Sequence, residues 1–334
     1  MILVVGGAGY IGSHMVSALK ANDTEVLVLD NFSTGHRSAL REVRVIDGCV
    51  GDKKLLSSIF SSYKIDAVIH FASCIQVSES HLKPNLYYNN NLVNTLSLID
   101  SMLAADINTL IFSSTAAVYG DPLYTPIDEQ HPRNPINPYG RSKWLTEQIL
   151  TDYAQALNLK YVSLRYFNAA GASPDMGTGE RHDPETHLIP LLLQVASGRR
   201  DAISVYGGDY DTPDGTCIRD YIHVEDLCEA HLLALRYLIK GGASQQFNLG
   251  NGEGFSVRQV IDATQKVTGS SIAVLHEPRR LGDPAILVAN AQKARDLLGW
   301  QPRHTSLESI IKDAWRWENM YPWDKLVDQL STIS

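Results

Sequence analysis

The stretch VVGGAGYIGSH, starting at Val4, constrains the fold more than any other part of the chain. Glycine costs conformational entropy on folding, so Gly6, Gly9 and Gly12 each need a local reason. A tight turn with positive φ is one reason, and a backbone that a ligand approaches closely is another. The flanks help to choose. Met1–Val5 is an apolar run of the kind that forms a buried strand, and Tyr10–Lys20 places Ile11, Met15, Val16 and Leu19 at helical spacing. A strand, a glycine turn and a helix N-terminus make an anion site, because unpaired N–H groups and the helix dipole both face the ligand. The combination points to the pyrophosphate of a dinucleotide.

A site of this kind also needs an acidic residue about 20 residues on, at the end of the second strand, to bind the adenosine ribose. Glu25–Asp30 reads as that strand and puts Asp30 at its tip. A carboxylate there accepts hydrogen bonds from ribose hydroxyls and repels a 2′-phosphate, which favours NAD over NADP. Arg37, nearby in sequence, weakens that preference without reversing it.

The first half repeats the strand–helix pattern. Val43–Asp47, Ile65–His70, Thr109–Ser113 and Tyr161–Arg165 read as strands, with helical patterns at Lys53–Ser62, Pro84–Ala104 and Pro138–Leu157. Such alternation predicts a parallel sheet covered on both faces, a Rossmann-type doubly wound α/β fold. Beyond Asn168 the character changes. Ala169–Glu185, rich in Gly, Pro and Asp, reads as a long loop, and helices near His223–Ile239, Ser256–Thr268 and Thr305–Trp317 stand among shorter elements. We expect an NAD-binding domain over 1–168 and a smaller mixed α/β lobe for substrate over 169–334. Some segments of the second part should return to the first domain, and the ligand cleft should lie between the two.

Composition narrows the partners. A length of 334 residues is enough for two lobes, each with a core. A net charge of −8 with no basic tract argues against nucleic acid. The longest apolar stretches, such as Leu188–Val195, are too short to span a bilayer, and the N-terminal strand has no basic leader, so we expect a cytoplasmic chain. Cys49, Cys74, Cys217 and Cys228 are scattered without metal-ligand spacing or a disulfide framework. They read as reduced, mostly buried thiols, and no metal is expected.

Chemistry enters after the fifth strand. Ser113-Ser-Thr-Ala-Ala-Val-Tyr-Gly120 follows it, and Tyr139-Gly-Arg-Ser-Lys143 opens a later helix. Tyr139 and Lys143, four apart, share one helical face. A phenol ordinarily titrates near 10, too high for a base at neutral pH. A lysine ammonium beside it, together with the positive nicotinamide of NAD⁺, is expected to favour the phenolate. Thr115 supplies a hydroxyl nearby.

The glycine loop, Ser113-Ser-Thr115, Tyr139-x-x-x-Lys143 and Asn168 resemble the extended short-chain dehydrogenase/reductase family of nucleotide-sugar enzymes. GDYDTPDGTCIRDYIHV at Gly208–Val224, DPETHLIP at Asp183–Pro190 and PRRLGDPA at Pro278–Ala285 are similar to its epimerase branch, and the likeness runs from Met1 to about Trp317. The resemblance implies tightly bound NAD, interconversion of UDP-galactose and UDP-glucose through a 4-keto sugar, and a homodimer. It assigns catalysis to Tyr139 as base, Thr115 as positioner of the C4 hydroxyl and Lys143 on the nicotinamide ribose. It places cofactor contacts at Gly6, Gly9, Tyr10, Ile11, Gly12, Asp30, Asn31, Asp52, Phe71, Ala72, Asn90, Ser113 and Tyr166. Asn168, His187 and Leu188 fall to the phosphate end of the substrate, Ser204 and Tyr206 to the uracil, Arg219 and Arg280 to the diphosphate, and Asp283 to the uridine ribose. Leu287 corresponds to the pocket-wall position that decides whether an N-acetyl group at C2 fits.

Sugar dehydratases similar to this chain carry an Asp-Glu pair after the threonine, where Ala116 and Ala117 stand here. The chain departs from the family's pattern at Ile75, Ser78 and Asn94, positions that bear on NAD affinity. Three further readings stay open on sequence alone: an epimerase acting on UDP-N-acetylglucosamine, a weakly active NAD-binding regulator, and an oxidoreductase that releases NADH at each turnover.

Overall fold

A computed structural model describes residues 1–280 and 282–320. Residues 321–334 of the expected second lobe, and Leu281 within the 278–285 motif, lie outside the described residues.

A seven-stranded sheet forms the larger body, in the order β10-β6-β5-β4-β1-β2-β3. Its strands are β1 (Ile2–Val5), β2 (Val26–Asp30), β3 (Arg44–Asp47), β4 (Ala67–His70), β5 (Thr109–Thr115), β6 (Lys160–Tyr166) and β10 (Gln245–Leu249), and every pairing is parallel. The order runs outward from β1 through β2 and from β4 through β5. The reversal between β1 and β4 opens a crevice beyond their carboxyl ends, where such sheets bind ligands. Helices α1 (Tyr10–Ala21), α2 (Lys53–Ser62), α5 (Asn94–Ala104), α6 (Pro138–Leu157), α8 (Val224–Ile239) and α10 (Gln292–Leu298) cover this body. Two apolar cores form, one holding Val4, Val28, Met15 and Leu227, the other Leu3, Leu29, Leu56 and Leu98. Alternate residues of β1 and β2 thus enter opposite cores, so both sheet faces are buried.

The helix expected over Pro84–Ala104 is not uniform. After the short α3 (Val77–Leu82) come α4 (Pro84–Tyr87), a π stretch at Tyr88–Val93 and then α5. β5 runs past the expected end at Ser113 because its pairing with β6 continues to Thr115↔Tyr166.

The second body is small. β9 (Ile218–His223) pairs with β7 (Asn168–Ala170), β11 (Gly254–Ser256) and β13 (Ile286–Leu287), while β8 (Ile203–Tyr206) pairs with β12 (Val274–Glu277). α7 (Leu188–Ala196), α9 (Val257–Thr268) and α11 (Leu307–Met320) share a third core with residues such as Leu192, Ile203, Val260 and Ile310. The stretch read as a loop over Ala169–Glu185 therefore begins inside β7. The chain beyond Asn168 does not all lie in this body, since α8 packs on α1 and β10 joins β6. Among the described residues, no helix is long and apolar enough to cross a membrane. The four cysteines are free; Cys217 and Cys228 are buried, but Cys49 is exposed and Cys74 half-buried, so half of them depart from the buried state expected.

Candidate active site

The three glycines of the first turn answer to different demands. Gly6 has φ +79°, and a Cβ there would stand 2.5 Å from the Ala72 amide nitrogen. At Gly12 a Cβ would meet the Gly6 carbonyl oxygen at 2.1 Å, so helix and strand approach too closely for any side chain. Gly9 differs: its φ is −76° and the nearest atom to a Cβ is 3.6 Å away. Neither strain nor crowding within the chain requires glycine at Gly9. No side chain caps α1 and no acidic residue stands in its first turn, so the first N–H groups are left for an anion. A bare backbone at this helix terminus fits a dinucleotide pyrophosphate.

Asp30 is buried at the tip of β2, and its oxygens accept from the Ala8 and Phe32 amides, both at 2.8 Å. It ties the second strand to the glycine turn while remaining on the cleft wall. Arg37 faces Asp47 and stacks over the Phe32 ring at 4.0 Å, and it is not on the cleft lining. Gly6, Gly9, Tyr10, Ile11, Gly12, Asn31, Phe71, Ala72, Asn90, Ser113 and Tyr166 line the same cleft. Asp52 does not: its carboxylate caps α2, accepting from the Lys54 and Leu55 amides at 3.0 and 3.1 Å. An Asp at a helix start satisfies the orphan amides there, and that local demand holds it. Of the positions that depart from the family pattern, Ile75 lines the cleft, Ser78 lies in α3, and Asn94 contacts the Cys49 Sγ at 3.7 Å.

Tyr139, Thr115 and Lys143 converge on this cleft. Asn137 caps α6 through the Gly140 amide at 2.8 Å, which sets where the helix begins. A Cβ on Gly140 would lie 2.4 Å from the Ala117 carbonyl oxygen, so only glycine lets α6 press against the turn after β5. This contact sets the Tyr139 phenol within reach of the Thr115 hydroxyl. Lys143 is buried and donates from Nζ to the Ser113 carbonyl at 2.8 Å, with Nζ 4.9 Å from the Phe112 ring centre.

Burial raises the Tyr139 phenol above its ordinary value, and the Thr115 hydrogen bond offsets this only partly. Burial likewise pushes the Lys143 ammonium down, to about 7. The chain by itself therefore does not lower the phenol, because the phenol's own burial outweighs the Thr115 interaction.

Sequence reading missed the supports beneath these groups. Glu147, one turn beyond Lys143 on α6, is buried against Arg165 of β6, with Nε to Oε1 at 3.0 Å, and accepts from the Ser114 hydroxyl at 2.5 Å. Arg165 also donates to Tyr119 at 2.9 Å, and Tyr119 donates to Asn248 at 2.6 Å. These bonds clamp α6 to β5, β6 and β10. Asn91, within the π stretch, brackets the Cys74 backbone, accepting from its amide at 2.8 Å and donating to its carbonyl at 3.0 Å. The i, i+4 spacing of Lys143 and Glu147 was a signal available in the sequence.

The positions expected to hold substrate divide in two. Asn168, His187 and Leu188 line the cleft, with His187 at the uncapped start of α7. Ser204, Tyr206, Arg219, Arg280, Asp283 and Leu287 are not on its lining. Most of them meet one another instead. Asp283 lies 3.8 Å from Arg219 and 3.0 Å from Arg280, and Arg280 sits 4.5 Å above the Tyr206 ring. Both expected cations are thus paired with the acid expected to bind ribose. Leu287 pairs with Arg219 across β13 and β9 and packs on the cluster of Ala116, Val118, Tyr119 and Ile127, beside Phe167 of the cleft wall.

The chain is similar to known epimerases over nearly its whole length. The UDP-glucose 4-epimerase of Halalkalibacterium halodurans is 50% identical over 321 residues, covering 96% of each chain. The crystal structure of the Brucella ovis UDP-glucose 4-epimerase in complex with NAD superposes with a TM-score of 0.91 at 47% identity, covering 94% of this chain and 97% of that one. That of the Bifidobacterium longum enzyme in complex with NAD⁺ and UDP gives 0.91 at 39% identity, covering 96% and 98%. The pattern of the NAD dependent epimerase/dehydratase family matches residues 2–250. The chain belongs to that family.

Proposed function

We propose that the chain is an NAD-dependent isomerase interconverting UDP-galactose and UDP-glucose at C4 of the sugar. The observation that carries this reading is the meeting of Tyr139, Thr115 and Lys143 on the cleft that the bare Gly9 backbone also lines. Bound NAD supplies a reversible hydride acceptor for C4, so the sugar passes through a 4-keto state without net redox change.

The chain's own groups do the rest. Tyr139 takes the proton of the C4 hydroxyl and later returns it, and Thr115 orients that hydroxyl and donates to the phenolate. Lys143 holds the nicotinamide ribose, and the stabilisation that the phenolate lacks in the chain alone is left to the positive charge of the oxidised cofactor held there. Gly6, Gly9 and Gly12 admit the pyrophosphate, and Asp30 with Asn31 holds the adenosine ribose. Asn168, His187 and Leu188 receive the phosphate end of the substrate. Arg219 and Arg280 exchange Asp283 for the diphosphate, leaving Asp283 for the uridine ribose and Ser204–Tyr206 for the uracil. Leu287 limits the room for a substituent at C2.

Ala116 and Ala117 follow Thr115 directly and cannot move a proton, which disfavours elimination of water. Two copies are expected to pair through Pro84–Ala104 and Pro138–Leu157, whose Leu86, Val93 and Leu157 are exposed in the single chain. Purified protein incubated with UDP-galactose and no added NAD is expected to form UDP-glucose. Turnover only with added NAD and release of NADH would favour an oxidoreductase, and no turnover with NAD bound would favour a regulator.

A further inference from the structure

Glu180, His182, Glu185 and His187 gather at the rim of the cleft in the spacing Glu-x-His-x-x-Glu-x-His. One ligand atom from each lies within 4.8 Å of all the others. His182 Nδ1 is 3.3 Å from Glu180 and 3.6 Å from Glu185, while His187 Nδ1 contacts Glu180 and stands 4.0 Å from Glu185. Four donors at about 2.0–2.2 Å from a tetrahedral zinc ion are about 3.4 Å from one another. The two His182 spacings are close to that, the His187–Glu185 spacing is longer, and the direct His187–Glu180 contact is shorter and must open to admit an ion; nitrogen with carboxylate oxygen is a donor set zinc accepts.

Four further observations bear on the choice between an ion and a plain salt-bridge cluster. The Glu180 and Glu185 side chains are only 5% and 6% exposed, and two carboxylates buried together require positive charge between them, from an ion or from protonated imidazoles. Glu185 is held by the Thr186 and His187 amides at 2.7 and 2.9 Å, so one oxygen is fixed toward the group. His182 Nδ1 is buried yet makes no hydrogen bond of acceptable geometry. The two imidazoles also stand at 82° to each other, which lets their in-plane lone pairs converge. The other histidine cluster, His223, His304 and Asp313, fails on this point, because its rings are stacked at 22° and their lone pairs run side by side.

We propose that Glu180, His182, Glu185 and His187 bind one divalent cation of the zinc class. Such an ion would fasten the 180–187 segment to the start of α7. With Nδ1 of His187 on the ion, its Nε2 is the nitrogen left for a ligand in the cleft.

The test uses the full chain, stripped with a chelator and then titrated with Zn²⁺ alone, alongside His182→Gln, Glu180→Gln and, as a control, His304→Gln. One equivalent per chain is expected for the unmodified protein and the control, with affinity at least about tenfold weaker in the other two. Co²⁺ is expected to give the intense visible bands of a tetrahedral site, lost in His182→Gln. Matching unfolding temperatures of the proteins in chelator would show that the variants fold. No stoichiometric Zn²⁺ in the unmodified protein, or equal binding by His182→Gln and Glu180→Gln, overturns the proposal and leaves a cluster paired through protonated imidazoles.

Discussion

The two ends of the proposed binding region are built on opposite plans. At the glycine turn the ligand-facing surface is backbone, since α1 starts without a side-chain cap, and one amide of the chain on each Asp30 oxygen holds that carboxylate in place on the cleft wall. At the other end the surface is charge, and Arg219 and Arg280 share Asp283. A ligand arriving at the first end displaces water alone. At the second end it must also break ion pairs, so part of what it gains there is offset. The lesson is that the cofactor end is ready before its ligand arrives, whereas the nucleotide end forms its contacts by exchange. This accords with a cofactor that stays and a substrate that leaves.

The largest expected effect lies between the two ends. Tyr139→Phe should keep the fold and lower turnover by roughly 10²–10⁴-fold, the usual scale for losing a general base. A steady-state assay that finds most of the rate retained would remove Tyr139 from the mechanism.

Next comes the prepared end itself. Gly9→Val is expected to fold, because its Cβ has 3.6 Å of clearance, yet to lose bound NAD by about tenfold or more. Gly12→Ala should instead lower stability, since its Cβ would lie 2.1 Å from a carbonyl oxygen. Thermal unfolding together with nicotinamide released on denaturation separates the two. If Gly9→Val keeps its NAD, no ligand approaches that backbone.

At the exchanging end, Arg219→Ala should raise KM for UDP-galactose by roughly tenfold, the scale of one charge-assisted hydrogen bond, and leave NAD content unchanged. Arg280→Ala should do less, because that side chain is 50% exposed against 12% for Arg219. Equal effects of the two would contradict the weight given to burial. Leu287→Gly should change sugar preference and not nucleotide binding, by about 1–3 kcal/mol in favour of UDP-N-acetylglucosamine when kcat/KM is compared for the two sugars. An unchanged preference would show that Leu287 does not limit the C2 substituent.

The same contrast explains what was legible in the sequence. The strand–glycine–helix opening, Asp30 and the Tyr139–Lys143 pair could be read because local spacing alone fixes their geometry. β10 could not: only alternate residues of Gln245–Leu249 are apolar, and its partner β6 lies some 80 residues earlier in the chain. Its buried Asn248 looks like a loop residue until its bonds to Tyr119 and Ile127 are seen. Asp52 was assigned to the cofactor by resemblance, while the helix start beside it claims the carboxylate. The pairing of both arginines with Asp283 depends on tertiary approach, as does the burial that raises the Tyr139 phenol instead of lowering it.

The central claim is that C4 is oxidised and reduced again within one cleft, with nothing released between. UDP-galactose carrying deuterium at C4 tests it most directly, incubated in ordinary water with no added NAD. The account predicts UDP-glucose that keeps its deuterium at C4, read by proton NMR or mass. Product with hydrogen at C4, or product that forms only when NAD is supplied, would contradict it.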